Sequence, residues 1–371
     1  MKKFAVIAAA LAISNVGLAH ADTIDVKIGN SGPLTGNGAV AGKDAENGLR
    51  LAIDELNAKG VTIGGKKANF ILDSQDDQGD PRVGVQVAQK LVDDHVDAVM
   101  GPFYSGVTLA AATVYGPSKI PVITSATNPA VTRQGMTNLF QVLPSDSRLG
   151  GEMARYAVAS LKAKKAAIID DRTAYGGGVA DEFEKVVRQS GVDIVDREYT
   201  NDKATDFKAI LTKIRATMPD VVFFGGYSQQ AGLLVKQMHG LGIKALLLGG
   251  DAICNPDTGS IGGEQSASVR CPIGGSPLAG TSLTGKFHDA YVAKFKAQPQ
   301  IYSAVFYDAM NMVAAAMQKA GSTKSDVVVK QLRDTDYTGI VGQYSFTSSG
   351  ELKSPTVTIY KFAGSKLQVA N

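Results

Sequence analysis

The sequence predicts an α/β protein made of two doubly wound parallel-sheet lobes, and three observations predict it. Short apolar runs of strand length alternate with longer segments of helical period, which is the pattern of βαβ units in a parallel sheet. The alternation runs through twice, ending once near Leu143 and beginning again at Arg148. The 371 residues are also enough for about two domains.

The elements follow in order. Ile24–Gly29 reads as the first strand, and Gly42–Ala58 as a helix because Leu49, Ile53 and Leu56 recur on one face. Phe70–Asp73 is a strand, Pro81–Val92 a helix, Ala98–Gly101 a strand and Ser105–Tyr115 a helix. Ile120–Thr124 reads as a buried strand, and Phe140–Leu143 closes the first series. The second series has helix Arg148–Leu161, strand Ala166–Ile169, helix Gly178–Ser190 and strand Asp193–Tyr199. Helix Phe207–Thr217, strand Val221–Gly225, helix Gln229–Leu241 and strand Ala245–Leu248 complete it.

The last third breaks the rhythm. Helices near Leu283–Ala297, Tyr302–Lys319 and Ser325–Leu332 have few strands between them, and a hairpin-like region follows through Tyr344–Phe346 and Thr356–Phe362. These strands are too few for a third lobe, so the segment is expected to pack back onto the first two.

Composition narrows the function. The net charge of +3, with 20% charged residues, is too balanced for a protein that binds nucleic acid by neutralising phosphates. Residues 1–21 read as a signal peptide: Lys2 and Lys3 form the positive end, Phe4–Ile13 the apolar stretch and Ala19-His20-Ala21 the cleavage site. The apolar stretch is too short to span a bilayer. Cleavage after Ala21 removes two lysines and leaves a net charge of +1. No Cys lies near that site, so the expected product is soluble, periplasmic and not lipid-anchored. In an oxidising compartment Cys254 and Cys271, which enclose 16 residues of loop-like composition, favour a disulfide over two buried thiols.

Signs of catalysis are weak. Gly60–Lys66 and Gly280–Lys286 have the spacing of a phosphate-binding loop, but Lys67 and Phe287 stand where the Mg²⁺-binding hydroxyl is required. G-x-S-x-G is absent, and His95, His239 and His288 are scattered without H-E-x-x-H. No enzyme activity, cofactor or metal is expected.

Polar residues at strand ends point to binding, because ligands of doubly wound sheets sit beyond the carboxyl ends of the strands. Ser105 and Thr127 each precede a helical turn in the first lobe. Each can serve as a helix cap, and two such helix N-termini facing one cleft can hold a carboxylate. Tyr175, Tyr227 and Asp251 follow three strands of the second lobe. A carboxylate beside two aromatic faces suits an ammonium group.

An ordered series of motifs then carries a family resemblance. It comprises Asn30-Ser-Gly-Pro-Leu-Thr-Gly36, Gly42-Lys-Asp-Ala-Glu-Asn-Gly48, Asp76-Asp77, Gly101-Pro102, Thr124-Ser-Ala-Thr127, Tyr175-Gly176, Phe224-Gly-Gly-Tyr227 and Gly249-Gly-Asp251. Together these resemble the periplasmic leucine/isoleucine/valine-binding proteins of branched-chain amino-acid ABC transporters, over essentially the whole chain beyond residue 21. The resemblance implies a type I periplasmic binding protein fold with three crossovers, near Leu143–Ser145, Ile273–Ser276 and Gly342–Gln343. Lobe 1 would be residues 22–143 and 276–342, and lobe 2 residues 144–275 and 343–371. The ligand's α-carboxylate would meet Ser105, Ala126 and Thr127, and its ammonium Asp251, Tyr175 and Tyr227. Tyr302 and Asn37 fall near the ligand side chain. Relatives carry Glu at the Asp251 position, so the charge here is set back by about one methylene.

The implied function is a non-enzymatic, monomeric binding protein that delivers one free amino acid, leucine, isoleucine, valine or similar, to an inner-membrane permease. Binding of amides, urea or aromatic acids is the alternative within the fold. A periplasmic hydrolase using Ser105 or Asp251 is a more distant one, since no base accompanies Ser105.

Overall fold

The structure is a computed structural model and describes residues 22–275 and 282–370. The expected signal segment, Ser276 of the second crossover and the start of Gly280–Lys286 lie outside the described residues.

The first lobe is a six-stranded sheet of β1 (Thr23–Gly32), β2 (Thr62–Ile63), β3 (Lys66–Asp76), β4 (Ala98–Met100), β5 (Val122–Thr124) and β6 (Leu139–Gln141), in the spatial order β2-β3-β1-β4-β5-β6. All pairs are parallel except β2 with β3. Every residue of β4, β5 and β6 is buried, which is why they read as unbroken apolar runs rather than as alternation. Helices α1 (Ala39–Lys59), α2 (Pro81–Asp93) and α3 (Ser105–Ser118) cover the sheet. The start of α2 is fixed locally. Asp80 accepts from the N–H groups of Arg82 and Val83, and Pro81 occupies the first helical position.

The second lobe is led by α4 (Asp146–Ala159) and contains β7 (Lys165–Asp170), α5 (Ala174–Gln189), β8 (Asp193–Tyr199), α6 (Lys208–Thr217) and β9 (Val221–Gly225). Then come α7 (Ser228–Gly240), β10 (Leu246–Gly249), α8 (Pro256–Gly262) and β11 (Val269–Gly274). Its five parallel strands lie in the order β8-β7-β9-β10-β11. The strand β11 escapes the sequence reading because Pro272 interrupts it, yet Pro272 lies past the end of the ladder with β10.

Three helices, α9 (Ser282–Phe295), α10 (Ile301–Ala320) and α11 (Ser325–Arg333), follow. Apolar residues of α10, among them Val305, Met310 and Val313, share one core with Ile28 and Ile123 of the first sheet and Leu49 and Ile53 of α1. The segment therefore packs back onto the first lobe. Beyond it, β12 (Tyr337–Thr338) and β13 (Gln343–Tyr344) pair with each other. The expected hairpin is differently placed: β14 (Val357–Ala363) turns into β15 (Lys366–Val369), and β14 adds antiparallel to β11 at the edge of the second sheet.

The boundary expected at Gly342–Gln343 falls inside the first lobe. Tyr344 and Phe346 fill the first core, and Phe346 stacks edge-on to Phe140 at 5.1 Å. Asp308 of α10 accepts from the N–H groups of Ile340 and Val341 and from the Tyr344 hydroxyl. Two large rings and a shared carboxylate hold the chain to the first lobe, so the passage to the second comes at residues 353–356. There it runs beside the second crossover, with the Gly275 N–H donating to the Thr356 carbonyl at 2.9 Å.

Gly60–Lys66 forms the end of α1, the strand β2 and the tight turn into β3, with no helix after it to hold a phosphate. Cys254 and Cys271 are joined, with their Cα atoms 5.5 Å apart, tying the turn after β10 to β11. Replacing both by Ala is expected to destabilise the protein by about 3 kcal/mol through the freed loop entropy. That is a fall of several degrees in Tm, readable by calorimetry and mirrored by adding reductant to the unaltered protein.

Candidate ligand-binding site

In each lobe the strand order reverses once: between β1 and β4 in the first, and between β7 and β9 in the second. Such reversals leave a crevice at the carboxyl ends of the strands. Ser105 follows β4, Ala126 and Thr127 follow β5, Tyr175 follows β7, Tyr227 follows β9 and Asp251 follows β10. The two crevices face each other. All six of these residues, with Tyr302 from the first turn of α10, line one small cavity between the lobes.

On the first-lobe side, Ser105 does not cap its own helix. Tyr104 occupies the cap position, and no side chain accepts from the first turn of α3. The uncapped start of α3, with the positive end of the helix dipole, therefore opens between the lobes, Ser105 lining the cavity and Gly106 and Val107 the outer cleft. The Ser105 hydroxyl oxygen accepts from the Asn128 N–H at 3.3 Å, so its proton is left to point elsewhere. Ala126 has little to offer as a donor: its N–H donates to Thr124 Oγ1 at 3.0 Å, and its carbonyl accepts from Gln141 Nε2 at 2.7 Å. Thr127 lies beside Asp146, whose N–H donates to the Thr127 carbonyl at 2.8 Å.

On the second-lobe side, the Tyr175 hydroxyl donates to Asp251 Oδ1 at 2.9 Å and accepts from the Ala252 N–H at 3.0 Å. The Tyr302 hydroxyl reaches the same carboxylate from the first lobe. Burial pushes the Asp251 carboxyl up to about 6, and the hydrogen bonds from Tyr175, Ala252 and Tyr302 offset only part of that. Among the described residues, no Lys, Arg or His forms an ion pair with it.

Asp146, which sequence reasoning missed, opens α4 directly after the first crossover. It is fully buried, and burial followed by the nearby charge of Asp251 drives its carboxyl well up, the Thr127 hydroxyl offsetting only part of that. From sequence it is only an acidic residue in the first turn of a helix, a common and unremarked position.

The sequence also gives no signal for Phe103 and Tyr104. Their rings meet each other at 5.3 Å, and Phe103 meets Tyr302 at 4.6 Å. Tyr104 reaches across to Tyr227 of the other lobe at 4.7 Å, and Tyr227 meets Tyr175 at 5.3 Å. The lobes also touch where Asn128 Nδ2 donates to the Ala174 carbonyl and Gln229 Nε2 to the Asn37 carbonyl. Asn37 is exposed and lines an adjoining outer cleft of about 730 Å³ rather than the small cavity itself.

The sequence profile of the periplasmic binding protein family matches residues 25–365. The Leu/Ile/Val-binding protein BraC3 of Rhizobium johnstonii is 33% identical over 365 residues, covering 95% of each chain. A leucine-binding protein, LivK, of Thermotoga maritima superposes with a TM-score of 0.86 at 25% identity, over 93% of this chain and 98% of its own. The branched-chain amino-acid transporter substrate-binding protein LivJ of Streptococcus pneumoniae, solved with isoleucine, gives 0.84 at 29% identity, over 94% of this chain and 99% of its own. With two doubly wound lobes closing on one cavity, and a family profile matched along nearly its whole length, this chain belongs to the periplasmic binding protein family.

Proposed function

We propose that this chain is the substrate-binding protein of an ABC transporter, working in the periplasm. It closes its lobes on one free aliphatic amino acid, branched-chain or similar, and passes it unchanged to an inner-membrane permease. The observation that carries this reading is Asp251: a carboxylate enclosed by aromatic rings, with no cation supplied by an ion pair among the described residues. Two tyrosine hydroxyls bond this half-buried carboxylate but bring it no positive charge. A charge drawn away from water is unfavourable without a counter-charge, so the cation comes from the ligand. An α-ammonium fits, held by Asp251 and the faces of Tyr175 and Tyr227.

The α-carboxylate goes to the opposite wall, where the uncapped start of α3, the Ser105 hydroxyl and Thr127 face the cavity. Ala126 forms the wall between them. The ligand touches both lobes at once and so binds the closed form better than the open one, which is what drives hinge closure. The names of the relatives support the same ligand class.

Thermal unfolding of ligand-stripped protein against the common amino acids, urea, short amides and benzoate tests the reading. A ligand at 1,000 times its Kd adds about 4 kcal/mol to stability, a shift that calorimetry resolves easily. Stabilisation by zwitterionic amino acids is the expected result. Stabilisation by uncharged amides or by benzoate alone would remove the ammonium from Asp251 and change the substrate class.

A further inference from the structure

We propose that Asn128 is the latch of the closed form: it slows release of the bound amino acid without touching it. This rests on the reading of the site as an amino-acid clamp whose lobes close over the ligand.

Asn128 belongs to the first lobe, in the loop after β5, and is anchored there twice. Its N–H donates to Ser105 Oγ at 3.3 Å, and its Oδ1 accepts from the Ala130 N–H at 2.8 Å, capping the short turn Pro129–Arg133. The other end of the carboxamide crosses to the second lobe. There Nδ2 donates to the carbonyl of Ala174, the residue that opens α5 just before Tyr175. A backbone N–H only donates and a carbonyl only accepts, so these two partners fix which end of the amide points across.

The second lobe is shaped to receive it. Gly178 lies one turn beyond Ala174 on the same face of α5, and a Cβ there would come within 2.4 Å of Asn128 Nδ2. A glycine inside a helix is unfavourable relative to alanine, and here the close approach of the other lobe requires it. At the neighbouring Gly177 a Cβ would meet no other segment within 4 Å among the described residues. Asn37 and Gln229, which make another hydrogen bond between the lobes, line the outer cleft, whereas Asn128 lines neither the cleft nor the cavity. Its bond to Ala174 therefore forms only as the lobes close, and it favours the closed form equally for every ligand.

The test uses alanine, valine and leucine as ligands. Calorimetric titration reads affinity, and stopped-flow tyrosine fluorescence reads the rates, since the chain has no Trp. Asn128→Ser keeps an oxygen to cap Ala130 but is too short to cross. It should weaken every ligand that binds by one common factor of about five or more, the scale of one hydrogen bond, through faster release at an unchanged association rate. Gly178→Ala should weaken binding about tenfold without lowering the Tm of the ligand-free protein, and Gly177→Ala should bind as wild type does. In the Asn128→Ser background, Gly178→Ala should cost less than about twofold, because the atom it collides with is gone. If Asn128→Ser binds as tightly as wild type, if its loss lies in the association rate, or if Gly177→Ala weakens binding as much as Gly178→Ala, Asn128 is no latch while the clamp stands. If no form of the protein binds any of these amino acids, although each melts cooperatively, the clamp reading falls and the latch with it.

Discussion

Asp251→Asn is expected to weaken amino-acid binding at least a hundredfold and, in the same protein, to raise the Tm of the ligand-free form. The first effect follows from the proposed clamp, in which Asp251 is the carboxylate that meets the ligand's ammonium. Truncating one member of a buried charged pair costs about 2–5 kcal/mol, and about 2.7 kcal/mol is a hundredfold in Kd.

The second effect has the opposite sign. The folded protein holds this carboxyl at about 6 rather than 3.8, so at neutral pH its burial opposes folding by at most about 3 kcal/mol. That opposition is absent below pH 3.8 and sets in as the pH rises through 6. Asn carries no charge and removes it.

The same linkage gives the pH profile of binding. Above pH 7 the affinity should be flat. As the pH falls below about 6 an ammonium must displace a proton from Asp251, and affinity should drop by up to tenfold per pH unit until the profile flattens again. Asp251→Asn should lack that slope. Titration calorimetry between pH 5 and 8 reads both, and a variant that binds as wild type does would remove Asp251 from the ammonium site.

Asp44→Ala carries the largest expected loss of stability, about 4 kcal/mol. Asp44 is a buried residue of α1, and its carboxylate collects three donors from the last third of the chain. Oδ1 accepts from the Tyr291 hydroxyl at 3.0 Å and the Gln300 N–H at 3.1 Å, and Oδ2 accepts from the Ser303 N–H at 2.8 Å. No side chain of its own segment caps α10, so Asp44 caps it from another helix. Burial pushes the carboxyl up, and these donors pull it back down. Removing it leaves three donors without an acceptor, each worth about 1–3 kcal/mol. The check is a lower urea midpoint at unchanged m-value. Asp44→Asn, which keeps one acceptor oxygen, should fall between Ala and wild type. Because α10 also presents Tyr302, ligand binding should weaken in step.

Much of the arrangement was legible in the sequence because it is set by local period. Strands such as Val221–Gly225 are buried on both faces and read as apolar runs, and their ends fix where side chains such as Tyr227 and Asp251 emerge. Topology then brings Ser105, Thr127, Tyr175, Tyr227, Asp251 and Tyr302 to one cavity. What escaped depends on contacts between distant segments. Tyr104 matters through a ring on the other lobe, and Asp146 through its burial beside Asp251. Ser105 looked like a cap, but the cap position belongs to Tyr104. The late third crossover follows from Tyr344 and Phe346 filling the first core, which no local pattern announces.

The dependence of the first sheet on α10 has a kinetic consequence. Ile28 and Leu49 are covered by residues some 250 positions later in the chain, so nearly the whole polypeptide must be available before the first core can close. Contacts of such long range make folding slow, and a partly delivered chain exposes bare apolar surface. If the chain is exported as proposed, threaded N-terminus first, that delay is protective. The first core, at least, cannot close until α10 has followed.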